Sequence, residues 1–332
     1  MGSGLLRRDP HIDRYPALRA RMFQAMFPIV ERLRYSSPHV QFATKPIGKP
    51  TTMTVPTRHG PVRTLVYAPV GADVAATRAE GRKPPVHLII HGGAFVIRRP
   101  AQEDNVARFL CSELGCYVVL PDYDTAPSVR FPVSEEQCSD VLAWLRDNAA
   151  DLGWDRDRIS LGGASAGGKL ALSVALDAID RGAFVPIAIS IEYGAANLSL
   201  PDSERTSPKR NPVVGPSLMN LIRTTYFKDV DTTLPTASPA LHPRRGELPP
   251  TLIITADQDT VRHEMNHLAA DLRERGVAVT HHEFPGVDHG FTHAEPVEQC
   301  RAALEMIRDH LGSAYQAPLT RSTVETRSDS SR

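Results

Sequence analysis

The chain has little that would fasten it to a membrane, a polyanion or an oxidising compartment. Its 332 residues hold only four cysteines, Cys111, Cys116, Cys138 and Cys300, at irregular spacings. Cys111 and Cys116 are too far apart for a CxxC pair and no second pair completes a zinc site, so reduced thiols are expected. Lys+Arg and Asp+Glu number 38 each, and zero formal net charge argues against nucleic acid or an anionic membrane as the main partner. No window reaches the roughly 18 apolar residues of a membrane span. The stretch 1–16 is polar, with Arg7, Arg8, Asp9 and Arg14, and carries no apolar segment of signal-peptide length. Met1-Gly2 is followed by Leu6 where a myristoylation signal needs Ser or Thr. The expectation is a cytoplasmic protein with no cofactor, metal or membrane span. Its oligomeric state is open, a homodimer included.

What is present is an alternation of strands and helices. Six short apolar runs read as buried strands: Val86–Ile90, Tyr117–Leu120, Arg158–Leu161, Ile187–Ile191, Thr251–Thr255 and, more weakly, Val277–His281. Between them lie helical stripes. The segment 134–148 opens with Ser134 and Gln137 in capping-box positions and lines up Val141, Leu142 and Leu145. Leu170, Val174, Ala175 and Ala178 form a second stripe, Leu268 and Leu272 a third. Strands alternating with helices in this way imply βαβ units and a mostly parallel sheet covered on both faces, an α/β fold. The 28 prolines outnumber the 22 glycines, as many rigid turns between elements would require.

Two stretches fall outside the alternation. Residues 1–50 carry an apolar stripe of Met22, Met26, Ile29, Val30 and Leu33, which Pro28 is expected to break. Residues 196–240 are irregular and rich in polar residues and proline. Both are expected to form a helical cap over a core made of residues 51–195 and 241–315. The tail, 316–332, is Ser/Thr-rich and charged from Thr320 on, and is expected to be disordered.

Gly163-Ala-Ser165-Ala-Gly167 follows one strand directly and precedes a helix directly. A serine nucleophile needs that setting: a sharp, strained strand-to-helix turn lifts its hydroxyl, and small neighbours let the two elements approach. The helix N-terminus also turns free N–H groups towards developing negative charge. A bare GxSxG is a weak signal, since the alternative is a plain glycine turn. Its position gives it weight. His91-Gly-Gly-Ala-Phe95 follows the strand Val86–Ile90, 74 residues before Ser165. Consecutive glycines there expose backbone N–H donors that can stabilise an oxyanion, each by about 3 kcal/mol.

These segments, with Pro121-Asp-Tyr123, Ala126-Pro127, Phe131-Pro132 and Ser165-Ala-Gly-Gly168, resemble the hormone-sensitive-lipase-like esterases, bacterial family IV, over residues 60–310. The resemblance implies an α/β-hydrolase fold, with an oxyanion hole of the Gly92, Gly93 and Ala166 amides. It departs at two places: Ala164 stands where the family usually has Asp, and Lys169 where it usually has Asn. These touch substrate preference and local stability around the turn, not the triad.

In this fold the acid and the histidine follow the serine in that order. Asp259 lies past the strand Thr251–Thr255 in a stretch resembling the family's acid loop, with Asp257 as its rival. His289, within Asp288-His-Gly-Phe291, resembles the family's histidine loop. His281, His282 and His293 lack its position, glycine neighbours and family match.

His263-Glu264-Met-Asn-His267 matches HExxH, whose histidines would share a helix face and hold zinc with Glu264 as base. The extended form of that motif needs Gly and His where Ala270 and Arg273 stand, and the motif coincides with the helix after the acid loop. The leading expectation is therefore a serine carboxylesterase acting on small to medium acyl esters through an acyl-enzyme. An amidase or deacetylase with the same triad is the first alternative. A non-catalytic small-molecule receptor, against which His289 argues, and a zinc protease follow.

Overall fold

In the computed structural model, residues 15–34 and 37–318 are described. The described residues open with helix α1 (Pro16–Arg34), followed by two strands, β1 (Thr51–Val55) and β2 (Val62–Tyr67), and helix α2 (Gly71–Ala79). Alternation then sets in: β3 (Val86–Ile90), α3 (Asp104–Leu114), β4 (Tyr117–Pro121), α4 (Val133–Asn148), β5 (Ile159–Ala164) and α5 (Ala166–Asp180). It continues through β6 (Ile189–Glu192), α6 (Pro216–Thr225), β7 (Thr251–Ala256), α7 (Arg262–Glu274), β8 (Val279–Phe284) and α8 (Val297–Gln316). The eight strands form one sheet in the order β1-β2-β4-β3-β5-β6-β7-β8. β1–β2 and β2–β4 pair antiparallel and every other pair is parallel.

The parallel part is the expected one, since runs apolar on both faces must be covered on both faces. Val86, Leu88 and Ile90 of β3 point to the side packed by Leu142 and Leu145 of α4 and Leu170 and Val174 of α5. Ile89 points the other way, to Phe109 and Leu110 of α3 and Leu304 and Ile307 of α8. Each such side chain contributes about 1.5–3 kcal/mol on burial.

Several expectations are corrected. β1 and β2 were not expected as strands: β1 is a Thr-rich edge strand exposed over most of its length, and Arg63-Thr64 interrupt the apolar run of β2. β5 runs on through Gly162-Gly163-Ala164, which pair with β3 and β6 although the glycines add no apolar signal. β8 starts two residues late because Gly276, with φ +86°, and Val277 still turn out of α7. Pro28 does not break α1. Gln24 loses the backbone donor that Pro28 lacks, but its side chain donates to Val96 O at 2.8 Å, and Arg99 pairs with Glu31 at 2.5 Å, clamping the helix to the core on both sides of the proline. The capping box at Ser134 is absent. The helix begins after Pro132, and Ser134 Oγ and Gln137 instead bind the Asp124 backbone and side chain. α8 reaches Gln316, so the start of the expected tail is helical; 1–14 and 319–332 lie outside the described residues.

The order β4-β3-β5 contains the feature that positions a site. The chain leaves β3 to one side for β4, then returns to the other side for β5, so the loops after β3 and β5 diverge at their carboxyl ends. Such a reversal opens a crevice there. His91–Ala94 and Ser165 sit on its two lips.

Candidate active site

Register brings the two lips together: Ile90 pairs with Gly163, and Ala164 with Glu192. The chain then turns sharply at Ser165, with φ 56° and ψ −120°, a strained conformation for a residue with a side chain. Its N–H donates to Glu192 O at 2.9 Å, and α5 starts at the next residue. The glycines are steric necessities. A Cβ at Gly167 would lie 1.9 Å from Ile90 O, and one at Gly163 would lie 2.3 Å from Gly167 O.

His289 lies on the loop after β8, where Gly290 adopts φ +84°. Its Nδ1 is 2.6 Å from Asp259 Oδ2 and its Nε2 2.7 Å from Ser165 Oγ. A carboxylate only accepts, so Nδ1–H donates to Asp259 and the bare Nε2 accepts the serine hydroxyl. Asp259 is fully buried, and its other oxygen accepts the Val261 N–H at 3.2 Å. Asp257 belongs elsewhere: its N–H donates to Phe284 O, and among the described residues its side chain does not meet His289. Asp288 fixes the loop by accepting the His289 N–H at 2.7 Å and pairing with Lys209 at 2.9 Å.

Gly93, with φ +117°, passes so close to Ile97 that a Cβ would lie 2.7 Å from the Ile97 Cβ. Among the described residues, no acceptor meets the N–H of Gly93 or of Ala94, which itself has φ 56°. Ala166, the first residue of α5, has an N–H without an intrahelical partner. Gly92 differs from its expected role: its N–H donates to Glu103 Oε1 at 3.3 Å. Tyr123 and Gln102 brace the same loop, donating to His91 O at 2.8 Å and Gly92 O at 2.9 Å.

Ser165, His289, Gly92, Gly93 and Ala94 border a cavity of about 740 Å³. Its other walls are largely apolar. Met22, Phe23, Met26, Phe27 and Val30 come from α1, and Leu218 and Leu221 come from α6, against which α1 packs. Arg19 of α1 donates to Ser217 Oγ at 3.0 Å.

The sequence reading passed over a buried polar corner of this cavity. Gln102, Glu103, Tyr193 and His293 also line it. Burial works to lower the His293 pKa, but the neighbouring Glu103 carboxylate outweighs it and holds His293 above the ordinary histidine value. Burial raises Glu103 but His293 outweighs this, so Glu103 stays below the usual carboxylate range. Glu192, buried beneath Ser165, is pushed up to about 7 by burial and then by the charge of Glu103. No motif marks Glu103, which ends the 3-10 turn Pro100–Glu103 just ahead of α3.

The HExxH helix is used differently. Glu264 is buried and pairs with buried Arg205 at 2.6 Å while accepting the Asn197 N–H at 2.6 Å. That pair ties the 196–210 stretch to α7. Lys169 is equally committed: wholly buried, it meets Glu135 at 2.5 Å and Thr236 O at 3.1 Å and lies over the rings of Phe131 and Phe227. Among the described residues there is no group of three or more His, Cys, Asp and Glu side chains arranged to hold a metal, and no helix long and apolar enough to cross a membrane.

Comparison with known proteins agrees with the geometry. A family described as the alpha/beta hydrolase fold matches residues 87–293. An arylesterase of Saccharolobus solfataricus is 29% identical over 221 residues, 60% of this chain and 66% of its own length. The carboxylesterase NlhH of Mycobacterium tuberculosis is 30% identical over 214 residues, covering 62% and 66%. The chain thus spans just under two thirds of these relatives' length. An esterase structure from Pyrobaculum calidifontis superposes with a TM-score of 0.80 at 32% identity, over 93% of this chain and 99% of that one. The chain belongs to the hormone-sensitive-lipase-like family of α/β-hydrolases.

Proposed function

We propose that the protein is a serine carboxylesterase in which Ser165, His289 and Asp259 form the catalytic triad. The observation that carries the reading is the unbroken run of hydrogen bonds from buried Asp259 through His289 to Ser165, 2.6 and 2.7 Å long, ending at the floor of an apolar cavity. Ser165 Oγ attacks the ester carbonyl as His289 Nε2 takes its proton. The C–O bond to the alcohol then breaks, and His289 returns the proton to the departing oxygen. Water repeats the sequence on the acyl-enzyme, freeing the acid and Ser165. Asp259 holds the imidazole tautomer and balances the imidazolium charge.

The oxyanion would form beside Gly93 and Ala166, two of the three donors expected from sequence. Ala94 joins them because its N–H is unspent and it borders the cavity; Gly92 serves less directly, since its N–H is turned to Glu103. α1 and the segment around α6 act as the cap. Their apolar walls favour neutral acyl or alcohol groups of small to medium size, which desolvate at little cost. A fluorophosphonate label followed by peptide mapping tests the assignment: the adduct is expected on Ser165. Adduct on another residue, or none on a folded protein, counts against it.

A further inference from the structure

Glu103 and His293 are both buried, and neither belongs to the triad. Glu103 closes the turn ahead of α3, and His293 ends the short 3-10 turn Phe291–His293, four residues past His289. Glu103 Oε1 accepts the Gly92 N–H at 3.3 Å, and Glu103 Oε2 lies 3.1 Å from His293 Nε2, within ion-pair distance though off the line of a hydrogen bond. On its far side His293 Nδ1 meets Asn105 Oδ1 at 2.8 Å, and Asn105 Nδ2 donates to Thr292 O at 2.7 Å. Thr292 in turn meets Tyr193 OH at 2.5 Å, and the Tyr193 ring stands 4.9 Å from that of His289. A continuous polar path therefore joins the loop after β3 to the loop after β8.

We propose that the Glu103–His293 pair is a positioning device, which sets the oxyanion loop and the His289 loop in register with each other. It rests on the esterase reading above and adds to it two residues that touch neither Ser165 nor the leaving group. The physical case is one of necessity and cost. The Gly92 N–H is buried and must have an acceptor, and a neutral one would serve. A carboxylate accepts more strongly than a neutral group but has to be neutralised within the protein, and His293, 3.1 Å away, is placed to do so. That bond holds the start of the turn, and Gly93 and Ala94, which follow, line the cavity with N–H groups that meet no acceptor among the described residues. Because the neutralising partner sits on the histidine loop, displacement of one loop strains the other. Misplacing reacting groups by about 1 Å costs on the order of 100-fold in rate, so even a partial slip would be measurable.

The test compares the wild type with Glu103→Gln, His293→Gln and the double variant. Each is assayed for kcat and KM on an aryl ester after its fold is checked by circular dichroism and thermal melting, with Ser165→Ala as reference. Both single variants are expected to lose about 10- to 100-fold in kcat with KM within about threefold, less than the 100-fold or more of a deleted oxyanion donor. The double variant should lose no more than the worse single one, because the pair acts as a unit. Affinity for a boronic acid, which mimics the tetrahedral intermediate, should fall in step with kcat. If the singles are folded and keep kcat within twofold, or lower melting temperature alone, the pair is merely structural and the inference fails. Where Glu103→Gln does not fold, His293→Gln, which keeps a donor facing Glu103, decides by the same split. A folded Ser165→Ala protein that keeps kcat within tenfold of wild type would overturn the esterase reading itself and this inference with it.

Discussion

Lys169 Nζ sits 2.5 Å from the Glu135 carboxylate with no solvent exposure of its own, fastening helix α5, which begins at the nucleophile turn, to helix α4. This is where the chain departs from the Asn usual in its family, and the surroundings show what the change requires. A buried ammonium must be neutralised, and here it is, by Glu135, with Tyr226 OH also donating to that carboxylate. Burial works to lower the Lys169 pKa, and Glu135 works against it.

Removing one member should therefore be worse than removing both. Lys169→Met strands a buried carboxylate and is expected to cost about 3–5 kcal/mol of stability. The double variant Lys169→Met, Glu135→Leu should recover most of it. Urea denaturation of the three proteins checks this, and a single variant within about 1 kcal/mol of wild type would contradict it.

Asp259, not Asp257, is expected to orient His289. Asp259→Asn should leave the fold intact and lower kcat about 10⁴-fold, because Asn can stabilise the wrong imidazole tautomer. Asp257→Asn should cost less than tenfold. The reverse ranking in steady-state kinetics would move the acid by two residues and contradict the geometry.

The raised pKa of Glu192 makes a stability prediction. The folded protein binds this proton more tightly than the unfolded chain does, about 7 against the ordinary 4.5. Its contribution is complete below about 4.5 and is lost as pH rises through about 7, on the order of 3 kcal/mol. His293, also raised, acts in the same direction, while Glu103, lowered, contributes above its unfolded value and loses that contribution only in acid. Glu192→Gln should lessen the loss of stability expected of wild type between pH 5 and 8, leaving the part that comes from His293. Parallel curves of unfolding free energy against pH for the two proteins would contradict it.

The cap makes a prediction about selectivity. α1 supplies five apolar wall residues to the cavity. Deleting residues 1–40 should change the acyl-chain profile and raise KM for longer p-nitrophenyl esters far more than it alters helix and strand content. It should also promote aggregation, because the apolar cavity wall it uncovers is large. A soluble truncated protein with the full chain-length profile would make α1 a passive surface helix.

The sequence disclosed the parts of the molecule whose physics is local. The buried parallel strands β3–β7 read as short apolar runs and were visible, as was the weaker, largely exposed edge strand β8, with ends displaced where glycine or a helix exit carried the chain onward. Ser165, Asp259 and His289 were legible because the steric demands of a strained turn leave a glycine pattern, and because the residues around each resemble those of a known family. What the sequence concealed is long-range. β1 pairs at an exposed edge and so reads as polar. Ser134 carries the letters of a capping box, yet a tertiary partner, Asp124, takes its hydroxyl. Glu264 matches a metalloprotease motif that its flanking residues already disfavour, but its actual partner, Arg205, 59 residues away, is visible only in the fold. Glu103 and His293 are separated by 190 positions and carry no motif, so only the folded chain brings them into one corner of the cavity.

The most direct measurement is the steady-state hydrolysis of a short-chain p-nitrophenyl ester by wild type and Ser165→Ala at matched concentration. The expected result is a fall in kcat of about 10⁴-fold or more, with residual turnover above background from the oxyanion donors. The result that would contradict the account is a folded Ser165→Ala protein that keeps kcat within tenfold of wild type.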